Sequence, residues 1–161
     1  MARQRSLEES VLVEAERATL YGLVADLRNM GRWSPECRRV LTGRPPVRTG
    51  SRFVGLNRRG PFVWFTTGRV TTARPGEEFV FDVGVFGLPI ARWGYRFEDE
   101  GTGTRVTETW QDLRTGTGSG FADLLGTVFA GTSPERRIAV NRHGMRTTLA
   151  RLARAAAPAA G

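Results

Sequence analysis

Six strand-like segments separated only by short turns constrain the fold of this chain more than any other feature. They span Arg38–Leu41, Ser51–Asn57, Phe62–Thr72, Glu78–Phe86, Ile90–Glu98 and Thr104–Leu113. Glycine and proline punctuate the intervals between them, as in Arg74-Pro-Gly76 and Gly87-Leu-Pro89. Because such short connections join antiparallel neighbours, the segments predict one antiparallel meander.

The residues before the meander predict a strand and a helix. Residues 6–15 are rich in valine and leucine and loosely alternate, which is typical of a strand. From Glu16 to Leu27 the apolar residues recur at helical spacing, and Gly31 and Pro35 are expected to end this helix.

The residues after the meander predict helices. An apolar stripe from Phe121 to Phe129 has helical spacing, and Ser133-Pro134 then begins a long final helix with Ile138 and Met145 on its apolar face. The fold class is therefore α+β: one sheet of six to seven strands, with helices on one side. We expect a single domain over residues 1–161, ordered from about 7 to 155.

Charge suggests a nucleic-acid partner, but the composition argues against one. The formal net charge is +8, yet all 24 basic residues are arginine and none is lysine. Lysine also binds phosphate well, so a functional basic patch has no reason to exclude it. We interpret the surplus as a compositional bias spread over the surface, and we do not expect nucleic-acid binding.

Single copies of two residues exclude several site types. Cys37 and His143 stand alone, which rules out an internal disulfide and the usual zinc ligand sets, and we expect no cofactor. His143 falls on the polar side of the last helix and is not expected to be catalytic, and Cys37 is expected to be a small buried residue. Without a signal peptide or an apolar run long enough to cross a membrane, the chain is predicted to be a cytoplasmic monomer or homodimer.

The alternation of side chains predicts which residues point inward. One face of the sheet collects the aromatic residues of five strands, and its few polar members are Asn57, Thr66, Tyr95 and Glu108. An apolar pocket with a few convergent polar groups is typical of a small-molecule site, although a plain aromatic core gives the same pattern.

Glu108 is the sharpest candidate for chemistry. Val106 and Trp110 flank it on the inward face, so we expect burial to raise its pKa and suit it to acid–base work. Arg142, near the apolar face of the last helix, is an alternative partner that would hold Glu108 ionised. Three roles stay open here: a structural ion pair, a ligand contact, or proton transfer.

The order of elements and several short motifs resemble the SRPBCC superfamily, also called START-like or helix-grip, in its polyketide cyclase/dehydrase branch of actinobacterial type. The motifs are Gly31-Arg-Trp-Ser-Pro-Glu-Cys37, Asn57-Arg-Arg-Gly60, Arg92-Trp-Gly-Tyr-Arg-Phe97, Gly103-Thr-Arg-Val-Thr-Glu108 and Asn141-Arg-His-Gly-Met-Arg146. The resemblance implies a curved sheet wrapped around the long C-terminal helix, with an apolar cavity between them.

With that cavity implied, we expect the chain to bind a hydrophobic small molecule, lipid-like or polyketide-like. The expected ligand-binding residues are Trp33, Asn57, Trp64, Thr66, Phe79, Phe81, Trp93, Trp110 and Met145. The alternative is a polyketide cyclase, aromatase or dehydratase acting on a poly-β-ketone, with Tyr95, Glu108 and Arg142 moving protons and stabilising an enolate. A third class, an interaction module, is supported only by the arginine surplus.

Overall fold

The computed structural model describes residues 5–114 and 134–157. The apolar stripe at 121–129 and the glycine-rich stretch at 116–120 lie outside the described residues. Within them, no helix is long and apolar enough to cross a membrane.

Seven strands form one fully antiparallel sheet, which confirms the predicted meander. They are β1 (Ser6–Val13), β2 (Cys37–Thr42), β3 (Arg52–Arg59), β4 (Phe62–Arg74), β5 (Glu78–Val85), β6 (Leu88–Glu100) and β7 (Gly103–Asp112). Their spatial order is β1-β7-β6-β5-β4-β3-β2, so β1 leaves the sequential order and pairs with the last strand. The sheet is therefore open, with β1 and β2 at its edges.

Helical segments occupy the connection from β1 to β2 and the end of the chain. They are α1 (Arg17–Ala25), a 3-10 turn (Leu27–Asn29), α2 (Met30–Trp33) and α3 (Pro134–Ala156). The first helix is shorter than predicted because Asp26 adopts an extended conformation and its carboxylate accepts a hydrogen bond from the Arg28 backbone N–H over 3.2 Å. An aspartate that bonds its own backbone in this way competes with helix continuation.

The two longest helices contact different parts of the sheet. Tyr21 of α1 packs edge-on against Phe79 and Phe97, with ring centroids 6.1 and 5.9 Å apart, and these rings belong to the larger core cluster. α3 crosses β1, where a smaller cluster holds Trp110 and Met145. This arrangement of one sheet and a long C-terminal helix is the helix-grip fold.

A close approach between β3 and β4 shapes the inner face of the sheet. Phe53 and Gly68 are directly opposite in the register, and a Cβ atom built on Gly68 would lie 2.0 Å from the Phe53 ring. The glycine therefore leaves room for the tip of the Phe53 ring, which also packs edge-on against Phe81. Bulges at Thr71 in β4 and at Ile90 in β6 interrupt the regular ladder nearby.

Candidate functional site

A cavity of about 790 Å³ lies between the inner face of the sheet and α3. The register explains its composition, because residues directly opposite each other in an antiparallel pair share a face. Asn57 is opposite Trp64, and Tyr95 is opposite Glu108. The walls include these predicted inward residues: Asn57, Trp64, Thr66, Phe81, Trp93, Tyr95, Glu108, Trp110 and Met145.

Two predicted ligand-binding residues lie elsewhere. Phe79 is fully buried against α1 and is not part of the cavity wall, because Tyr21 covers that end of the sheet. Trp33 is also buried, and its backbone oxygen accepts hydrogen bonds from Thr148 and Arg151 of α3. Neither residue is part of the cavity wall, and a ligand-binding role for them stays a prediction.

The polar centre of the cavity is a hydrogen-bonded pair. The Tyr95 hydroxyl donates to Oε1 of Glu108 over 2.9 Å, and each residue is 2% exposed. The second oxygen, Oε2, is buried and has no hydrogen-bond partner among the described residues. An oxygen of this kind is rare in folded proteins, where buried polar atoms are nearly always satisfied.

Burial also sets the protonation of this pair. Loss of solvent raises the pKa of Glu108 from 4.5 to about 8, and the hydrogen bond from Tyr95 lowers it only in part. The same burial, followed by the nearby Glu108 carboxyl, raises the pKa of Tyr95 well above 10. At neutral pH both groups are therefore predominantly uncharged.

Arg142 does not pair with Glu108. Its guanidinium donates to Oε1 of Glu9 over 2.9 Å, and Arg146 donates to the other oxygen of Glu9 over 3.1 Å. Glu9 stands directly opposite Glu108 in the β1–β7 register and lies beneath α3 at the edge of the sheet. The sequence suggested Glu108 of β7 as the partner of Arg142. The structure shows that the partner is Glu9 of the neighbouring strand β1.

Other arginines line the mouth of the cavity. Arg137 of α3 pairs through two hydrogen bonds with Glu36, and its guanidinium lies 5.8 Å from the centroid of the Trp64 ring. Arg58 and Arg59, at the end of β3, also line the cavity. The mouth therefore combines positive charge with an aromatic surface, whereas the interior around Glu108 lacks a paired cation among the described residues.

Apolar side chains also stand exposed at this mouth. Val63 and Phe86 line the cavity while being 64% and 63% exposed, and Phe65 packs edge-on against Phe86 with centroids 5.6 Å apart. Phe86 has φ of 50°, a left-handed conformation that bulky residues rarely adopt. The β5–β6 turn thus accepts strain while presenting an aromatic ring beside the opening.

A buried ion pair is part of the same region. Arg114, which lines the cavity, donates to both carboxylate oxygens of Asp112 over 2.7 and 3.0 Å. Both side chains are almost completely buried, and this bidentate geometry satisfies two of the guanidinium donors.

The family model described as polyketide cyclase / dehydrase and lipid transport matches residues 4–157. The chain belongs to this family. That finding confirms the resemblance carried by its motifs. No curated protein sequence matches the chain significantly.

Solved structures agree on the fold of this polyketide cyclase/dehydrase family member. A polyketide-cyclase-like protein from Corynebacterium glutamicum is 28% identical, with a TM-score of 0.62 over 96% of this chain and 92% of that one. The Zhui aromatase/cyclase from a Streptomyces species is 15% identical, with a TM-score of 0.70 over 94% and 93%. The di-domain aromatase/cyclase BexL is 20% identical, with a TM-score of 0.68 over 97% of this chain and 50% of that one.

Some residues of the cavity wall were not predicted, although the spacing of the sequence indicates their positions. Arg59 shares the face of Asn57 by simple alternation, and Arg137 shares the helical stripe of Asn141 and Thr148. Cys37 is buried as predicted, and it also lines the cavity, where burial raises the pKa of its thiol to about 11.

Among the described residues, no group of three or more His, Cys, Asp or Glu side chains is arranged to hold a metal ion.

Proposed function

We propose that the protein binds a hydrophobic small molecule, lipid-like or polyketide-like, in the cavity between sheet and α3. The observation that supports this most is the cavity itself: about 790 Å³, walled largely by aromatic and aliphatic side chains, with the buried Tyr95–Glu108 pair in its wall. Its volume lies within the range of small-molecule sites, roughly 300–1,000 Å³. The membership of a family described by polyketide chemistry and lipid transport agrees with such a ligand.

Binding can be tested with a dye and a variant that fills the cavity. We expect the neutral dye Nile red to bind in equimolar amount with a blue-shifted emission. Val83→Trp places an indole in the cavity wall and should weaken dye binding at least tenfold, while Leu56→Trp, on the outer face of β3, should leave it unchanged. Equal binding by both variants, or no dye binding together with no ligand in native mass spectrometry of gently purified protein, would contradict the proposal.

A second candidate is the cyclisation of a poly-β-ketone in the same cavity, and the Tyr95–Glu108 pair favours it. A carboxylic acid that keeps its proton at neutral pH can protonate a ketone oxygen as carbon–carbon bond formation proceeds. Binding stands first because aldol chemistry also needs a base to remove a proton from carbon. If the chain converts a poly-β-ketone, Glu108→Gln should lower kcat at least 100-fold; unchanged turnover would remove Glu108 from the reaction.

The other expectations about this protein stay predictions. They are its cytoplasmic location, its monomeric or homodimeric state, its independence of cofactors and its lack of nucleic-acid binding.

A further inference from the structure

We propose that the outer face of β2, β3 and β4 is a docking surface for an anionic lipid bilayer. This goes beyond the proposed function, because that side of the sheet faces away from the cavity and needs no ligand there. Two independent observations support it: the distribution of charge along the chain and the position of the exposed apolar side chains.

Charge is distributed unevenly along the chain. Residues 37–76 hold nine arginines and no aspartate or glutamate, whereas the rest of the sequence has 15 arginines and 16 acidic residues. This segment supplies β2, β3 and β4, which are neighbours at one edge of the sheet. The positive surplus of the protein therefore belongs to that edge and its loops.

Two arginines of this face lack the partners that outer-face arginines have elsewhere. Arg52 and Arg69 are directly opposite each other in the β3–β4 register, and among the described residues neither forms an ion pair. Asp82 is opposite Arg69 on β5, but Arg92 occupies both of its carboxylate oxygens. Like charges directly opposite each other are unfavourable in a sheet, and an anionic surface would neutralise them.

The exposed apolar side chains are concentrated at the same edge of the sheet. Of the seven large apolar residues that are exposed in the described part of the chain, five lie within residues 37–76. A sixth, Phe86, packs edge-on against Phe65, which is directly opposite Leu56. Exposed apolar residues that form a contiguous group mark an interaction surface, whereas scattered ones need no explanation.

Arginines border this apolar group. Leu56 is opposite Arg39 of β2, and Val63 is opposite Arg58. These four side chains share the outer face with Phe65, because they alternate with the inward residues of their strands. The outer patch comprises the exposed residues Leu41, Leu56, Val63, Phe65 and Phe86 together with Arg39, Arg52, Arg58 and Arg69.

A bilayer fits both parts of the outer patch. Arginine stems lie along apolar surface while the guanidinium reaches a phosphate, and each arginine near an anionic membrane strengthens binding about fivefold. Apolar side chains that enter the interface add to this attraction. A second copy of the chain would bring the same positive charge against the patch, and DNA would leave the aliphatic side chains of Leu41 and Val63 in water.

The outer patch reaches the mouth of the cavity. Val63, Phe65 and Phe86 belong to the patch and also line the cavity. Docking through these residues would bring the opening to the lipid, so a hydrophobic molecule would pass between bilayer and cavity without crossing water.

Co-sedimentation with vesicles tests the electrostatic part. At about 0.1 M salt we expect vesicles of phosphatidylglycerol and phosphatidylcholine to bind at least tenfold more tightly than phosphatidylcholine alone, and at about 1 M salt binding should weaken because the charges are screened. The double variant Arg52→Gln, Arg69→Gln should lose at least tenfold in affinity. The double variant Arg96→Gln, Arg105→Gln removes the same charge from β6 and β7 and should lose less than twofold.

A matched pair of leucines tests the apolar part. Leu41 and Leu12 are 47% and 48% exposed and lie on the two edge strands, β2 and β1. Leu41→Thr keeps a strand-forming side chain but removes apolar surface from the patch, so vesicle binding should weaken at least threefold. Leu12→Thr should bind vesicles like the wild type.

The outcomes decide between partners and separate this proposal from the proposed function. Equal binding of both vesicle types, no binding of anionic vesicles, or equal losses in a patch variant and its control would overturn the bilayer as partner. Tighter binding of DNA or polyglutamate than of anionic vesicles would also overturn it. Nile red binding reports the cavity separately, because Leu41, Arg52 and Arg69 do not line it.

Discussion

At the scale of single residues, burial decides what Glu108 does. The same carboxyl on the outer face of β7 would ionise in the ordinary range, as surface glutamates do. Here its neighbours on the same face of the strand are Val106 and Trp110, both buried, and among the described residues its carboxyl receives a hydrogen bond from Tyr95 alone. The side chain therefore keeps its proton at neutral pH, at the expense of stability at higher pH.

We predict that this cost appears as a pH dependence of unfolding. The unfolded chain releases the Glu108 proton near pH 4.5, whereas the folded chain holds it until about pH 8. Between these values the native state binds more protons, so stability falls as pH rises, by up to about 1.4 kcal/mol per pH unit, and levels off above the folded-state pKa. Urea unfolding of wild type and Glu108→Gln from pH 4 to 9 should show the wild type losing stability relative to the variant.

The control for this measurement is Glu14→Gln, which removes an exposed carboxylate just after β1. Its stability should follow the wild type across the whole pH range. A constant difference between wild type and Glu108→Gln would mean that Glu108 ionises normally in the folded protein.

Sequence alternation was sufficient to place Glu108 inward, but it did not identify its partner. Period-2 spacing gives the face of a strand residue, and this succeeded for both Tyr95 and Glu108. Which helix residue meets which strand residue depends on the position of α3 over the sheet. That position brings Arg142 to Glu9, a non-local contact that no local pattern encodes.

At the scale of elements, the contact between β3 and β4 depends on one missing side chain. We predict that Gly68→Ala forces the Phe53 ring away from the strand and towards the cavity that it lines. The variant should lose about 1–3 kcal/mol of stability, the usual range for overpacking, and bind Nile red more weakly. Denaturant unfolding and dye titration measure the two effects.

Gly22→Ala is the matched control for this prediction. A Cβ atom at Gly22 meets nothing within 4 Å, and the residue lies on the exposed side of α1. Alanine favours the helix and restricts the unfolded chain, so this variant should gain about 0.4–1 kcal/mol. Equal effects of both substitutions would contradict the role of Gly68 in seating Phe53.

The meander was predictable because its turns are short and rich in glycine and proline, and all six of its strands are present. The helices between β1 and β2 were less predictable from the sequence. Asp26 ends α1, and its carboxylate accepts a hydrogen bond from the backbone N–H of Arg28. Gly31 was expected to end a helix, but it lies inside α2. Phe79 points inward as predicted but lies outside the cavity wall, because face assignment does not reveal which part of a face a helix covers.

At the scale of the whole molecule, arginine side chains occupy two regions, the outer face of the sheet and the mouth of the cavity. Several arginines of the outer face are neutralised by carboxylates, as in Arg92 with Asp82 and Arg105 with Glu100. At the mouth, Arg58, Arg59 and Arg137 stand against Glu36. Three arginines therefore line the cavity opening, whereas the sequence had suggested only Arg142 for a position near the cavity.

We predict that Cys37 reports occupancy of the cavity. Burial raises the pKa of its thiol to about 11, so N-ethylmaleimide should modify the folded protein slowly. A cavity-bound ligand should slow the reaction at least fivefold further, since Cys37 is part of the wall. Mass spectrometry over a time course measures both rates.

A cysteine on the outer face provides the comparison. In the double variant Cys37→Ser, Leu41→Cys, the new thiol replaces an exposed leucine of β2 that does not line the cavity. It should react quickly with and without ligand. Identical protection of both thiols would point to a general stabilisation of the fold instead of occupancy of the cavity.

The pairing of β1 with β7 has a consequence for how the protein is made. Arg142 stands 133 positions from Glu9 along the chain, so the first strand leaves the ribosome long before its partners exist. Such non-local pairing slows folding, and a partly synthesised chain exposes a free strand edge and an unshielded aromatic face. The nascent chain should therefore depend on chaperones until α3 emerges, because the cavity between sheet and α3 is complete only then.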